Sequence, residues 1–283
     1  MNIEKFIEEN FQLENLISKN SNDFEDTKNY YENAKKDAIY FYSRINRYLK
    51  KDNTLLEVGG GIHLLTNYLG QNYDITSVEP GSYADGYSDN VDVLRSQILK
   101  KNNSNIHTTT LENFRTKKKY DFIFSMNVLE HTRDIKIHIE SCVKLLKNEN
   151  SILLIECPNY SFPFEPHFYE FFIPFFPKFT FQNLKKNKLI KKYGEDKYYN
   201  ILDNLNFACN FNNIKKITPV KFNNPIESIF IRIKHDKSFK QRILSNFIIK
   251  LAYNIIVFLK LEKLLVKIFP IMLSPYLIME IKK

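Results

Sequence analysis

The fold is decided by the stretch Leu55-Leu56-Glu57-Val58-Gly59-Gly60-Gly61. Its apolar residues are typical of a strand buried in a parallel sheet, and a helical pattern follows the three glycines. Glycine allows the backbone to turn tightly and to approach a ligand closely. The whole chain has 7 glycines in 283 residues, so three in a row are unusual. The stretch predicts a strand-to-helix turn that holds a nucleotide-like ligand.

An acidic residue closes the next predicted strand, Tyr73-Asp74-Ile75-Thr76-Ser77-Val78-Glu79. Glu79 stands 18 residues after Gly61. This separation is near the roughly 20 residues that part a glycine turn from a ribose-binding carboxylate. The two segments together predict a nucleoside-binding half of a sheet.

Two alternatives stay open at this turn. A dinucleotide site with the pattern Gly-x-Gly-x-x-Gly needs a glycine at position 64, where the chain has Leu64. Glu57, directly before the turn, suits a carboxylate that accepts hydrogen bonds near a ligand or from the amides of the turn. It equally suits a solvated acid at the end of a strand.

Periodicity predicts an α/β fold with a doubly wound sheet, and the family resemblance given below implies a mostly parallel seven-stranded sheet of the Rossmann-like type. Helices are predicted over 4–19 and 29–50, and the second is expected to cap the ligand site. The predicted strands cover 54–58, 73–78, 105–109, 120–125, 151–157, 211–220 and 276–281, and the resemblance implies that the last two form an antiparallel pair. Four regions follow: an N-terminal helical cap (1–50), a ligand-binding catalytic domain (51–224), a helical insertion before the last strand (225–270) and a closing strand (271–283).

Four segments, in this order and spacing, resemble the class I S-adenosylmethionine-dependent methyltransferases. They are Glu57-Val58-Gly59-Gly60-Gly61, the strand end Val78-Glu79, Asp121-Phe122-Ile123-Phe124-Ser125, and Val128-Leu129-Glu130-His131. The resemblance covers residues 30 to 160, and Ile152–Asn159 is similar to the family's fifth strand and exit loop. His63 departs from the family, which often has a third glycine there, and this concerns the local shape of the loop.

The resemblance implies S-adenosylmethionine as the cofactor and gives each part of it a set of residues. The methionine part would meet the glycine turn and the residue after the fourth strand, the ribose hydroxyls would meet an acid, and the adenine would meet the end of the third strand. In that order, the cofactor-binding residues are Glu57, Gly59, Gly60, Gly61 and Asn127, then Glu79, then Thr110 and Leu111.

Candidate catalytic residues come from two places. A proline- and aromatic-rich loop, residues 158–177, leaves the edge of the sheet where open α/β folds bind ligands, and it carries Glu165 and His167. A base there would take the proton of an acceptor hydroxyl as the methyl group moves. Aromatic packing closed by a hydrogen bond from His167 to the backbone is the alternative. His131, on the helix predicted after the fourth strand, is either a third catalytic residue or a packing histidine.

Composition sets further limits. The net charge is +9, from 41 basic and 32 acidic residues, but the lysines are scattered or paired as on a solvated surface, so nucleic acid is not the expected partner. Three cysteines, far apart in the sequence, argue against disulfides and against a cysteine-rich metal site, and no metal is expected. A reducing cytoplasm fits, and the first residues lack the pattern of a signal peptide.

The segment 243–260 is apolar but is interrupted by Lys250 and Asn254, so its uninterrupted runs are shorter than a membrane span needs. Flanking basic residues suit a helix on the inner surface of the membrane, with peripheral contact through 240–270. A buried helical hairpin or a homodimer face is the alternative.

The sequence thus predicts methyl transfer from S-adenosylmethionine to a small or carbohydrate-type acceptor, which a lipid could carry. Two rival hypotheses are a nicotinamide-dependent oxidoreductase and a non-catalytic nucleoside-binding or membrane-associated scaffold.

Overall fold

A computed structural model describes residues 2–18, 24–81, 89–101, 105–224, 229–230, 233, 240, 244 and 247–283. Its centre is a seven-stranded sheet with the strand order β3-β2-β1-β4-β5-β9-β8. These strands are β1 (Thr54–Val58), β2 (Asp74–Val78), β3 (Asn105–His107), β4 (Phe122–Met126), β5 (Ile152–Pro158), β8 (Lys221–Asn223) and β9 (Tyr276–Lys282). Two further strands, β6 (Phe164–Glu165) and β7 (Glu170–Phe171), pair with each other in a separate antiparallel hairpin.

The central strands are apolar because helices cover both faces of the sheet. Strand β1 pairs in parallel with β2 and β4, with Val58 opposite Val78 on one side and Ser125 on the other. Strand β9 runs antiparallel to both β5 and β8. All five residues of β4 are buried. The doubly wound, mostly parallel sheet predicted from the sequence is confirmed.

The helices of the described chain flank this sheet. They are α1 (Ile3–Asn10), α2 (Phe24–Ile45), α3 (Leu64–Leu69), α4 (Asp89–Lys100), α5 (Ile135–Leu145), α6 (Pro177–Phe179), α7 (Lys186–Tyr193), α8 (Glu195–Asp203), α9 (Phe211–Lys215), α10 (Phe247–Phe258) and α11 (Glu262–Ile268). The helix predicted over 4–19 is shorter, because the backbone leaves the helical region at Phe11, with φ −132° and ψ 47°. The helix predicted over 29–50 begins earlier, at Phe24, and its last turn gives way to a 3₁₀ turn at Asn46–Tyr48.

The strand predicted over 211–220 is wrong. Asn210 accepts a hydrogen bond from the amide of Asn213 and so caps a helix over Phe211–Lys215. The sheet's edge strand comes later, at Lys221–Asn223. Apolar residues with β propensity predicted a strand here, but a local side-chain cap decided the backbone conformation.

Two hydrophobic clusters cover the two faces of the sheet. The N-terminal helices pack on one face with Phe6, Phe11 and Tyr31, and the aromatic side chains Phe168, Phe181 and Tyr198 pack on the other. In the second cluster, the Sγ atoms of the free, buried thiols Cys157 and Cys209 lie 3.3 Å apart. The fold therefore brings together two cysteines that are distant in the sequence.

The predicted insertion falls partly outside the described residues, which include 229–230, 233, 240 and 244 and resume at 247. From 247 onward, α10 and α11 expose apolar side chains such as Phe258 (84% exposed) and Ile268 (62%). Within the described ranges, no helix combines the length and the apolar character that crossing a membrane requires. The four predicted regions remain a prediction.

Candidate active site

The glycine turn joins β1 to α3 and takes left-handed backbone conformations. The φ angles are +84° at Gly59 and +55° at Gly61. A Cβ atom at Gly59 would overlap Cγ2 of Val128. Both the positive φ angle and this overlap require a glycine at position 59. His63, where the family often has glycine, also takes the left-handed conformation, with φ +62°. The departure noted in the sequence therefore leaves the turn intact.

Glu57 is a buried carboxylate at the start of the turn. It is 6% exposed, and the hydroxyl of Thr66 donates a hydrogen bond to it. Burial raises the pKa of Glu57 to about 7, and the negative charge of Glu79 adds to the rise. The alternative of a solvated strand-end acid is therefore wrong for Glu57.

Glu79 lies directly after β2, on the other side of the turn. Its carboxylate oxygens accept hydrogen bonds from the amide of Gly61 (3.0 Å) and from that of Gly81 (3.3 Å). Two backbone amides thus hold a carboxylate beside the glycines, at the edge of the sheet where a ribose would lie. The hydrogen bond between Gly61 and Glu79 joins two residues that are 18 positions apart in the sequence.

A cavity of about 950 Å³ opens at the carboxyl ends of β1 and β4. Seven of the predicted site residues line it: Glu57, Gly59, Gly60, Gly61, Asn127, His131 and His167. The other four, Glu79, Thr110, Leu111 and Glu165, lie outside its lining. Helix α2 closes one side with Tyr30, Lys36 and Phe41, as the predicted cap requires, and the aromatic loop closes the other with Phe162, Phe164 and Tyr169.

Asn127 projects from the end of β4 into this cavity. Its φ angle is +55°, and its backbone N–H donates a hydrogen bond to the carbonyl oxygen of Glu156 (2.8 Å). Its Oδ1 atom is buried and has no hydrogen-bond partner within the described part of the chain. A buried amide oxygen without a partner is costly unless a ligand satisfies it, so Asn127 is placed to receive an ammonium group.

S-adenosylmethionine fits these residues. A Cβ atom added at Gly61 would face the cavity, with Tyr30 Oη at 4.0 Å as its nearest atom, so the bare backbone of Gly61 borders open space. The carboxylate of Glu79 suits two ribose hydroxyls, and Asn127 suits the amino acid end of the cofactor. Thr110 and Leu111 lie beyond the end of β3, and Leu111 is buried in the core, at 6% exposure.

The aromatic loop holds His167 with a buried carboxylate. Glu165 is fully buried, and its Oε1 atom lies 2.6 Å from Nδ1 of His167. The other oxygen of Glu165 accepts from the amide of Phe168 (2.6 Å), and the hydroxyl of Tyr160 lies 3.3 Å from Oε1. The loop therefore fixes His167 through a carboxylate, and the imidazole faces the cavity.

His131 lies opposite His167, on a 3₁₀ turn at Leu129–His131 instead of the predicted helix. The two imidazole rings meet edge to face, with their centroids 5.1 Å apart. Glu130, beside His131, is 1% exposed, and burial raises its pKa. Glu130 belongs to the segment Val128-Leu129-Glu130-His131 but was not among the predicted site residues. Its position next to His131 in the sequence could have indicated that it belongs to the site.

The fold and the site define a Rossmann-like protein with a glycine turn after its first strand and a partly aromatic cavity beside that turn. Residues 30–210 match the family described as "methyltransferase domain", which is more than half of the chain. The chain belongs to this methyltransferase family. This confirms the predicted family, that of the methyltransferases.

Single relatives are more distant. An uncharacterized protein of Mycobacterium tuberculosis is 36% identical over 115 residues, which is 40% of this chain and 39% of that protein. The chain therefore spans about two fifths of the length of the curated relatives that it matches.

Among solved structures, the plantazolicin methyltransferase BpumL in complex with a monoazolic desmethylPZN analog and SAH is similar at 14% identity over 93% of this chain and 90% of that one, with a TM-score of 0.48. An S-adenosylmethionine-dependent methyltransferase from Clostridium acetobutylicum is 15% identical over 45% of this chain and 51% of that one, with a TM-score of 0.35.

Proposed function

We propose that the protein transfers the methyl group of S-adenosylmethionine to a hydroxyl of a carbohydrate-type acceptor, in free or lipid-linked form. The cavity carries this proposal, because it joins the glycine turn to an aromatic pocket whose wall contains two histidines. Its volume of about 950 Å³ lies near the upper end of ligand sites, which suits a cofactor together with an acceptor.

The lining of the acceptor side supports a sugar ring. Phe162, Phe164 and Tyr169 offer flat apolar faces, and Asn204 and Lys197 add polar groups to the lining. Apolar faces with a few polar groups are the usual composition of a site that orients a small polar molecule.

When bound, S-adenosylmethionine supplies a methyl group that is already activated by a positively charged sulfur. The chain's own contribution is then to align the acceptor oxygen and to assist the loss of its proton. Glu57, Asn127 and the glycine turn would hold the cofactor end of the cavity. His131 and His167 would act on the acceptor oxygen, and Glu165 would keep the ring of His167 in place.

A lipid-linked acceptor is supported by the surface next to the cavity. Pro275 and Tyr276, which line the cavity, follow closely after α11. Helices α10 and α11 expose apolar side chains, and the segment 247–268 carries four lysines and one glutamate. Apolar side chains with lysines are typical of a surface that meets anionic lipid, and this would bring the cavity to a lipid-linked acceptor.

Isothermal titration with S-adenosylmethionine and, separately, with NADH tests the cofactor. We expect binding of the first alone; binding of NADH alone would favour an oxidoreductase, and failure of folded protein to bind S-adenosylmethionine would overturn the proposal. Production of SAH is then measured with nucleotide sugars and with lipid-linked saccharides, which separates the free from the lipid-linked form. We expect His167→Ala to lose turnover and Glu140→Gln, an exposed position on α5, to retain it.

A further inference from the structure

Three side chains with metal-binding atoms converge on the wall of the cavity. They are Glu130 and His131, from the turn after β4, and His167, from the loop between β6 and β7. One ligand atom of each lies within 4.8 Å of those of the others. A divalent ion with bonds of about 2.0 to 2.2 Å would draw such atoms together by small side-chain rotations.

Both histidines have their Nδ1 atoms beside a fixed acceptor. Nδ1 of His167 lies 2.6 Å from the carboxylate of Glu165, and Nδ1 of His131 lies 3.2 Å from the carbonyl oxygen of Asn204. Each of these oxygens accepts a hydrogen bond from Nδ1–H, which leaves the lone pair of the ring on Nε2. Metal-binding histidines have this arrangement almost without exception, with a carboxylate or a backbone carbonyl behind the ring.

Glu130 is the independent sign of a ligand. Its side chain is 1% exposed, and within the ranges that the structure describes neither carboxylate oxygen has a hydrogen-bond partner. A buried carboxylate without partners is costly, and pairing with a cation offsets that cost. The carboxylate belongs to the same 4.8 Å cluster as the two imidazoles, which are neutral ligands.

We propose that Glu130, His131 and His167 bind one divalent transition-metal ion, which holds the oxygen of the methyl acceptor in the cavity. Imidazole ligands select ions such as zinc, iron or cobalt over magnesium and calcium, which prefer oxygen. Three protein ligands leave coordination positions open, and His131 and His167 both line the cavity where an acceptor would lie. A cation there would lower the pKa of a bound hydroxyl, whose proton would then leave to water; His131 and His167 would act on the acceptor oxygen through the ion and not as free bases. This role rests on the proposed function; the metal site itself does not.

Cobalt(II) is the probe, because its visible absorption reports on coordination by nitrogen and oxygen. Chelator-treated full-length protein is titrated with cobalt chloride, without S-adenosylmethionine. We expect one equivalent to bind with a visible spectrum. Glu130→Gln, His131→Asn and His167→Asn should abolish it, and Glu165→Gln, behind a ligand, should weaken binding by about 10- to 100-fold. Glu140→Gln is the matched control and should bind as the unaltered protein does.

Folding of each variant is checked by circular dichroism and by urea unfolding, neither of which depends on cofactor binding. A glutamine at position 130 keeps the shape of the side chain and removes a buried charge, so this variant should fold. The proposal is overturned by the absence of a spectrum in the unaltered protein, or by an unchanged spectrum in all three ligand variants. Full methyl transfer by metal-free protein would refute the role of the ion while leaving the proposed function intact. Absence of cofactor binding refutes the proposed function alone.

Discussion

Replacing Gly61 with alanine separates the stability of the glycine turn from its function. At φ +55°, an alanine costs about 1 to 2 kcal/mol relative to glycine because its Cβ crowds the following carbonyl oxygen. The added Cβ itself meets nothing closer than Tyr30 Oη, at 4.0 Å. The free energy of unfolding should therefore fall by about 1 to 2 kcal/mol and no more.

Gly59→Ala is the matched comparison, because Gly59 also has a positive φ but its Cβ would overlap the side chain of Val128. Overpacking of this kind adds about 1 to 3 kcal/mol to the backbone cost. Urea unfolding should rank Gly59→Ala as clearly less stable than Gly61→Ala. Equal losses of stability for the two variants would contradict the close packing of Val128 against Gly59.

Binding of S-adenosylmethionine, in contrast to stability, should be clearly weakened by Gly61→Ala. The methyl group of Gly61→Ala points into the cavity where the cofactor would lie, so the affinity of this variant for S-adenosylmethionine should fall at least about tenfold, or about 1.4 kcal/mol, although the protein stays folded. Isothermal titration below the unfolding temperature measures this. An unchanged dissociation constant would refute the placement of the cofactor against Gly61.

Three further substitutions test other parts of the structure. Glu79→Ala should weaken binding of S-adenosylmethionine by tenfold or more in a titration, since hydrogen bonds to a charged group contribute about 1.5 to 3 kcal/mol; unchanged affinity would contradict its role at the ribose. Because the pKa of Glu57 is raised from 4.5 to about 7, the folded state binds more protons between these values, and the free energy of unfolding should fall by about 3 kcal/mol as pH rises through them. Glu57→Gln should remove that slope in urea unfolding at pH 5 and pH 8. Glu156→Gln should lower the free energy of unfolding by about 3 kcal/mol, because the buried guanidinium of Arg44, whose Nε lies 3.9 Å from Glu156, would lose its carboxylate partner. Glu140→Gln, on the surface, is the control and should change the free energy of unfolding by less than about 0.5 kcal/mol.

The cofactor half of the site was readable from the sequence because its residues are local. Strand β1, the glycine turn and the acid after β2 form one continuous segment, and the hydrogen bond from Gly61 to Glu79 closes it. Apolar runs mark strands β1, β4 and β5, and the positions of all five parallel strands were predicted to within two residues. The edge of the sheet was harder, because β8 is three residues long and has no such pattern.

The acceptor half was only partly readable because it is assembled from distant segments. Sequence analysis proposed Glu165 and His167 together, two residues apart, but no pattern connects His167 to Glu130. Their proximity depends on two independent features: a hairpin that returns the loop over the sheet, and a 3₁₀ turn that replaces the helix predicted after β4. The expectation that no metal binds rested on the absence of a local ligand pattern, which cannot detect ligands from separate segments.

The contrast between the two halves has a physical basis in how each carboxylate is satisfied. Glu79 accepts hydrogen bonds from two backbone amides, and Glu165 accepts one from a backbone amide. The described fold itself therefore supplies hydrogen-bond donors to both carboxylates. Glu130 is as deeply buried as Glu165, yet within the described chain it has no hydrogen-bond partner. Folding alone therefore gives no reason to bury its charge beside two imidazoles, whereas a bound cation does. The proposed metal site, and with it the proposed way of holding the methyl acceptor, therefore depends on Glu130.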